Sequence, residues 1–267
     1  MSAIDQLFVE LRKRGEKAFL PFITAADPDL ETTAAVVRAL AECGASMAEI
    51  GVPYSDPIAD GPVIQASYQR ALEQGFRLSH LFDLGRTLTA EIKMPLVTMT
   101  SYSIIHRVGM QRYIDQATAA GFSGAIVPDL LVEEAEPFAK VCRDADFNLV
   151  QLVTPTTPRE RQVRIAELSS GFLYFVSVTG ITGERNQIPP GLVENVAWLR
   201  EQTELPICIG FGISNAQTAA TLAPVADGVI VGSAIVRRIA EADSREAAVA
   251  SVTALAREIV AAINPGK

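Results

Sequence analysis

The fold of this chain is constrained above all by a regular alternation between short apolar runs and longer stretches of helical spacing. The apolar runs are nearly continuous in Val, Ile, Leu and Phe, which is typical of parallel strands covered on both faces. The predicted strands are residues 17–24, 46–50, 95–100, 124–127, 148–153, 171–178, 206–211 and 228–231. The predicted helices are residues 4–14, 31–43, 63–74, 78–92, 110–120, 133–144, 158–168, 193–202, 216–222 and 245–263. A strand–helix unit therefore recurs along the sequence.

Eight such units within 267 residues predict an α/β protein, a (β/α)8 barrel or TIM barrel. No Ser-, Gly- or Pro-rich linker divides the sequence, so we expect residues 1–267 to form a single domain. The first helix would be an extra N-terminal helix, and further extra helices would lie in the loops. A doubly wound open sheet is the alternative, although it rarely contains so many evenly spaced units. In a barrel, functional side chains lie at the carboxyl ends of the strands.

The stretch at residues 49–62 is acidic, rich in proline, and follows a predicted strand. Glu49 ends that strand among apolar neighbours, which would raise its pKa and suit it to proton donation. Asp56 and Asp60 follow in a loop whose proline rings restrict the backbone. A salt-bridged or half-buried structural role stays open for Glu49. A turn role stays open for Asp56 or Asp60, since Asp-Pro and Asp-Gly are typical of turns. A further acid, Asp129, ends the fourth strand.

Glycine is concentrated in the loops after the last three predicted strands. The residues are Gly180, Gly183, Gly210, Gly212 and Gly232, with Ser233 directly after the last of them. Barrels often bind phosphate in the loops after strands seven and eight, at the N-terminus of a short extra helix. One glycine pair alone would be weak evidence because glycine also ends strands. Glycine in three consecutive loops predicts a phosphate site.

The composition argues against several other classes of function. A net charge of −8 argues against a nucleic-acid surface, which requires a basic stripe. The cysteines, Cys43, Cys142 and Cys208, lack the spacing of a zinc site or a disulfide framework, so we expect reduced thiols in a cytoplasmic protein. We expect no signal peptide, no membrane-spanning segment and no metal site. His80, near a helix start, and His106, in a predicted polar loop, are poor catalytic candidates.

These patterns predict a barrel that acts on a small phosphorylated substrate by acid–base catalysis. At five collinear segments the sequence also resembles the alpha chain family of tryptophan synthase. The segments are residues 49–65, 154–158, 174–183, 210–214 and 232–236. The first of them reads EIGVPYSDPIADGPVIQ, which is long and specific. The resemblance covers essentially the whole chain.

The resemblance implies a lyase of tryptophan biosynthesis that cleaves indole-3-glycerol phosphate into indole and glyceraldehyde 3-phosphate. Glu49 is then the general acid and base, and Asp60 stabilises the charge that develops on the indole nitrogen. Thr182 would close over the site on hinges at Gly180 and Gly183. The substrate-binding residues that the resemblance implies are Phe22, Tyr174, Thr182, Gly183, Gly210, Phe211, Gly212, Gly232 and Ser233.

The resemblance also implies a beta-chain partner in an α2β2 heterotetramer. Indole would pass to that chain, which would carry pyridoxal phosphate, and this chain would need no cofactor of its own. Pro53, Asp56 and Pro57 match positions that face the partner.

Three loops depart from the usual family sequence. After the third strand the family commonly has Tyr-Tyr-Asn-Pro, whereas residues 101–104 here read Ser-Tyr-Ser-Ile. Ala26 stands where glycine is usual, and Leu131 replaces a common proline. The missing aromatic residue would loosen the indole pocket, and the missing Asn and Pro bear on contact with the partner. Two alternatives stay open: a stand-alone lyase that releases free indole, and a non-catalytic barrel that binds phosphate.

Overall fold

A computed structural model of the protein describes residues 1–58, 60–176, 191–210 and 212–266. Within these residues the core of the fold is one sheet of nine parallel strands. In chain order the strands are β1 Ala18–Thr24, β2 Ala48–Gly51, β3 Leu96–Met99, β4 Phe122–Ile126, β5 Asn148–Val150, β6 Leu152–Val153, β7 Leu173–Val176, β8 Ile207–Gly210 and β9 Gly228–Val231. Across the sheet their order is β5-β4-β3-β2-β1-β9-β8-β7-β6. The outermost strands, β5 and β6, are separated in the chain only by Gln151, so the sheet curves into a nearly closed barrel.

Twelve helices within the same described ranges accompany the strands. They are α1 Ala3–Arg14, α2 Leu30–Glu42, α3 Pro62–Glu73, α4 Leu78–Glu91, α5 Tyr102–Val108, α6 Met110–Ala119, α7 Ala135–Asp144, α8 Arg159–Leu168, α9 Leu192–Arg200, α10 Ala216–Leu222, α11 Ser233–Ala240 and α12 Arg245–Ile263. The predicted TIM barrel, its extra N-terminal helix and its extra loop helices are confirmed.

Three details differ from the sequence prediction. The strand predicted at residues 148–153 is divided, because β5 pairs with β4 and β6 pairs with β7, and neither ladder includes Gln151. Helix α11 was not predicted, since it begins immediately after a glycine loop. Helix α5 was not predicted either, so the placement of His106 in a polar loop is wrong. His106 lies in the last turn of α5.

Alternate strand positions divide the apolar side chains into two layers. The outer layer packs between the sheet and the helices and includes Ile23, Ile50 and Phe175. The interior cluster fills the barrel, with side chains such as Phe22 and Tyr174. A side-chain period of two along each strand produces this separation. Any polar group on an interior position therefore faces the centre of the barrel.

Helix α1 covers the amino-terminal end of the barrel. Ser2 caps it by accepting a hydrogen bond from the Asp5 N–H at 3.1 Å, and the Ser2 N–H donates to the Asp5 carboxylate at 3.0 Å. Its apolar face joins the interior cluster, where the Phe8 ring lies 5.8 Å from that of Phe172. The carboxyl-terminal end of the barrel is the end left for a site.

No helix in the described ranges is both long enough and apolar enough to cross a membrane. Within those ranges, no group of three or more His, Cys, Asp and Glu side chains is arranged to hold a metal ion.

Candidate active site

Glu49 lies on β2, level with Phe22 of β1 and Val97 of β3 in the parallel pairing. Its side chain is 0% exposed, and neither carboxyl oxygen has a hydrogen-bond partner in the described structure. Burial raises the pKa of Glu49 well above its usual range, because an apolar environment disfavours the charged form. The salt-bridged or half-buried alternative is therefore wrong. Glu49 is an unpaired buried acid that favours its protonated form.

Asp60 lies in the loop between β2 and α3 and is half-buried. Its backbone N–H donates to the Pro57 carbonyl at 3.0 Å, and its own carbonyl accepts from Gln65 Nε2 at 2.7 Å. Directly after it, Gly61 caps α3 and Pro62 occupies the first turn. Burial raises the pKa of the Asp60 carboxyl to about 6. Asp60 is therefore ionised at neutral pH but readily protonated in mild acid.

Two buried tyrosine side chains each interact electrostatically with both acids, Glu49 and Asp60. Burial raises the pKa of Tyr174 on β7, and the charges of Glu49 and Asp60 raise it further. Burial likewise raises the pKa of Tyr68 on α3, and the charges of Asp60, Tyr54 and Glu49 raise it further. Both acids therefore act on the same two phenols, and this convergence at one end of the barrel defines the candidate site.

Phe22 forms one wall of this site next to Gly51. A Cβ at Gly51 would lie 2.4 Å from Cζ of Phe22, so the ring occupies space that any other residue at position 51 would need. Phe22 also adjoins Gly232, where a Cβ would lie 3.6 Å from the Phe22 Cβ. The start of α11 is thereby brought next to the strand level that carries Glu49.

Helix α11 begins at Ser233, and Gly232 is its N-cap. The Gly232 carbonyl accepts hydrogen bonds from the N–H groups of Ile235 and Val236, at 2.9 and 3.1 Å. The first N–H groups of a helix have no acceptor within the helix and bind anions readily. Gly232 and Ser233 are both partly exposed at this point. The helix start is suited to a phosphate group, in the position that the glycine pattern predicted.

Of the other predicted binding residues, the structure describes Gly210 and Gly212. Gly210 ends β8 and lies under the Tyr174 ring, and Gly212 follows with a φ of +81°. The predictions for Gly180, Thr182, Gly183 and Phe211 lie outside the described residues.

The predicted partner-facing residues lie at different depths in the β2–α3 loop. Asp56 is exposed, Pro57 is partly exposed and Pro53 is buried. Next to them Ile58 is 91% exposed, which the sequence interpretation missed. Its signal was a large apolar residue within an acidic, proline-rich loop. Asp56, Pro57 and Ile58 therefore form part of the loop surface, whereas Pro53 is buried.

The β3–α5 loop is joined to the β4–α7 loop through Asp129. The Ser101 hydroxyl donates to the Asp129 carboxylate at 2.7 Å, and the Tyr102 N–H donates to it at 2.8 Å. The Ser103 N–H donates to Ser101 Oγ at 3.2 Å, so Ser101 also caps α5. Asp129, which was predicted as an acid at the end of a strand, thus links the two loops by hydrogen bonds. Ile104, like Ser101 and Ser103, belongs to the segment that departs from the family sequence.

The fold and the site define a (β/α)8 barrel that carries two acids of raised pKa, Glu49 and Asp60, at the carboxyl-terminal face of its strands. Residues 8–264 match the sequence model of the family described as "Tryptophan synthase alpha chain". A tryptophan synthase alpha chain from Rhodopirellula baltica is 66% identical over 91% of this chain and 88% of its own length. One from Synechocystis is 44% identical over 99% of this chain and all of its own length.

A solved structure supports the same assignment. The tryptophan synthase alpha subunit from Legionella pneumophila superposes with a TM-score of 0.90 at 33% identity, covering 98% of both chains. The chain belongs to the tryptophan synthase alpha chain family, a family of lyases in tryptophan biosynthesis.

Proposed function

We propose that the chain cleaves indole-3-glycerol phosphate into indole and glyceraldehyde 3-phosphate. The observation that carries the proposal is Glu49, a fully buried acid without a partner in the described structure, in a chain of this family. An isolated buried carboxyl is costly to keep in a protein core, and perturbed acids of this kind are concentrated at functional sites.

The cleavage begins with a proton transfer from Glu49. The neutral carboxyl gives its proton to C3 of the indole ring, and a positive charge develops at the ring nitrogen. The Asp60 carboxylate accepts a hydrogen bond from the ring N–H and stabilises that charge. The ionised Glu49 then takes the proton of the glycerol hydroxyl, and the carbon–carbon bond breaks. Its electrons return to the ring and neutralise the nitrogen, the aldehyde forms, and Glu49 ends protonated as it began.

The remaining residues in this proposal bind and orient the substrate. Phe22 and Tyr174 are walls for the indole ring, and both are almost fully buried. Gly232 and Ser233 hold the phosphate at the start of α11, and Gly210 and Gly212 flank it. Thr182 and Gly183, with Phe211, are assigned by family resemblance. All three bind substrate in this assignment, Gly183 at the phosphate, and Thr182 also closes over the site on hinges at Gly180 and Gly183.

The partner in this proposal is a tryptophan synthase beta chain. It would dock on the surface formed by Asp56, Pro57 and Ile58, in an α2β2 heterotetramer in the cytoplasm. Ile58 supports the proposal, because a large apolar side chain that is 91% exposed gains stability from being covered. Pyridoxal phosphate would belong to the beta chain, and every proton transfer in the cleavage uses side chains of this chain.

A second candidate function is a stand-alone lyase that releases free indole. The hydrogen bonds from the Ser101 hydroxyl and the Tyr102 N–H to Asp129 favour it, since they join two loops at the carboxyl-terminal face of the barrel without a partner chain. A non-catalytic barrel that binds phosphate is the third candidate.

A steady-state assay of indole release separates the three candidates. The purified chain is given indole-3-glycerol phosphate with and without a beta chain, and the Glu49→Gln variant is the matched control. Low activity that rises strongly with the beta chain supports the proposal. Full activity without any gain from the partner selects the stand-alone lyase, and no activity in either condition selects the non-catalytic barrel.

A further inference from the structure

Tyr68 is a buried residue to which no role has yet been given, although both acids act on it electrostatically. It lies on the apolar face of α3, four residues after Ile64, and is 2% exposed. Helical side chains lean towards the helix N-terminus, and the N-terminus of α3 directly follows Asp60. The Tyr68 ring thus points back towards the acidic loop. The sequence signal was a tyrosine on the buried face of the helix that follows that loop.

Close contacts fix where the Tyr68 hydroxyl lies. A Cβ at Gly51 would be 3.1 Å from Oη of Tyr68, which places the hydroxyl beside the carboxyl-terminal end of β2. The Tyr68 ring packs against Tyr54 with 5.6 Å between the ring centroids. Among the described residues the hydroxyl makes no hydrogen bond. The phenol is thus held beside Gly51, two residues after Glu49, and against Tyr54 of the loop that carries Asp60, and its donor has no partner in the described structure.

We propose that Tyr68 is a positioning residue of the site and that its hydroxyl donates a hydrogen bond to the ionised Asp60 carboxylate. The bond forms by rotation of the half-buried Asp60 side chain, because the Tyr68 ring is fixed by its packing. Catalytic hydrogen bonds often tighten only when substrate is bound. The kinetic consequence of this bond rests on the proposed function, whereas the bond itself does not.

Asp60 is the acceptor rather than Glu49 for an electrostatic reason. A hydroxyl donates more strongly to an ionised carboxylate than to a neutral acid, and the unpaired Glu49 favours its protonated form. The titratable groups around Asp60 in the described structure are Glu49 of β2, Tyr54 of its own loop, Tyr68 of α3 and Tyr174 of β7. Of these, Tyr68 combines a fixed ring with an unused donor.

The test is a pH titration of the Asp60 carboxyl by carbon-13 NMR in the full-length chain, assigned by comparison with Asp60→Asn. The variant is Tyr68→Phe. The matched control is Tyr113→Phe, a fully buried tyrosine of α6 whose hydroxyl lies 2.7 Å from the Thr98 hydroxyl, outside the barrel interior. Since two to three hydrogen bonds lower a carboxyl pKa by about two units, Tyr68→Phe should raise that of Asp60 by about one. Tyr113→Phe should leave it unchanged.

An Asp60 titration that is the same in wild type and Tyr68→Phe overturns the proposal. If Tyr68→Phe does not fold, 3-fluorotyrosine at position 68 replaces it, because the more acidic phenol donates more strongly and should lower the Asp60 pKa. No change there is equally a negative result. The kinetic arm follows kcat/KM against pH, whose acid limb should move to higher pH in Tyr68→Phe. A wild type without lyase activity would refute the proposed function, and the NMR titration would still decide the role of Tyr68.

Discussion

The Tyr174 hydroxyl occupies the space that a side chain at Gly210 would need. A Cβ at Gly210 would lie 2.4 Å from Oη of Tyr174 and 2.6 Å from its Cζ. The two residues lie on the paired strands β7 and β8, so neither backbone can withdraw without disturbing the sheet. The position of the phenol in the candidate site therefore depends on glycine at position 210.

Gly210→Ala should displace the Tyr174 ring and weaken substrate binding. Overpacking of a buried position costs about 1–3 kcal/mol of stability, and KM should rise because a wall of the pocket moves. Gly75→Ala is the control: its φ is +76° but no atom lies within 4 Å of its added Cβ, so it should lose stability without a change in KM. Steady-state kinetics and thermal unfolding measure both effects. An unchanged KM in Gly210→Ala would show that Tyr174 does not contact the substrate.

Glu49→Gln should lose turnover and gain stability. The amide cannot supply the proton, and loss of a general acid reduces the rate by about 100-fold or more. The unfolding free energy at neutral pH should rise, because the variant removes a buried ionisable group whose pKa burial has raised. Glu42→Gln, at an exposed position, should change neither property. A Glu49→Gln protein with normal turnover contradicts the proton-transfer role.

The acid limb of the pH–rate profile should lie near the pKa of Asp60, which burial raises to about 6. Below that pH the carboxylate is protonated and cannot accept the indole N–H, so kcat/KM should fall. Asp60→Asn should lose most activity and also lose this limb. A profile that is flat between pH 5 and pH 7, measured with the beta chain present, would place the essential ionisation elsewhere.

Asp60 should also make stability depend on pH. Its pKa is about 6 in the folded chain against an ordinary value of 3.8, so between these pH values the folded state holds a proton that the unfolded state has released. The unfolding free energy should therefore fall as the pH rises from about 4 to about 6. Denaturation at several pH values should show a smaller fall in Asp60→Asn. An equal fall in both proteins would show that Asp60 is not the group responsible.

Local signals were sufficient to predict most of the fold. The predicted helices at residues 216–222 and 245–263 coincide with α10 and α12, because Asn215 and Ser244 cap them. The helices α5 and α11 were missed because each begins directly after residues that are typical of loops. The division between β5 and β6 depends on the neighbours of each strand, and the sequence contains no local signal for it.

The candidate site was predictable only in part. The apolar neighbours of Glu49 indicated burial, but the lack of a partner for its carboxyl depends on the whole interior. Tyr68 reaches the site from a helix, and its contact with Gly51 is a matter of tertiary packing. The single-domain prediction for residues 1–267 stays a prediction.

The ion pair between Arg70 and Asp27 should contribute strongly to stability. Arg70 of α3 donates two hydrogen bonds to the Asp27 carboxylate, both at 2.8 Å, and the Asp27 side chain is 2% exposed. Arg70→Met leaves that acid buried and unpaired, which should cost about 3 kcal/mol. Arg38→Met, which breaks the exposed pair with Glu91, should cost far less, because water screens an exposed ion pair. Equal losses in urea denaturation would contradict this difference.

Ala26 should carry measurable backbone strain. Its φ is +61°, in the left-handed region that costs a residue with a side chain about 1–2 kcal/mol relative to glycine. Ala25 beside it is buried to a similar degree, and its φ is not positive. Ala25→Gly should lose about 1–2 kcal/mol, from a lost methyl group and a more flexible unfolded chain. Ala26→Gly suffers the same losses but relieves the strain, so it should be close to neutral. Denaturant unfolding of the two variants measures the strain as their difference, and equal destabilisation would show that position 26 is unstrained.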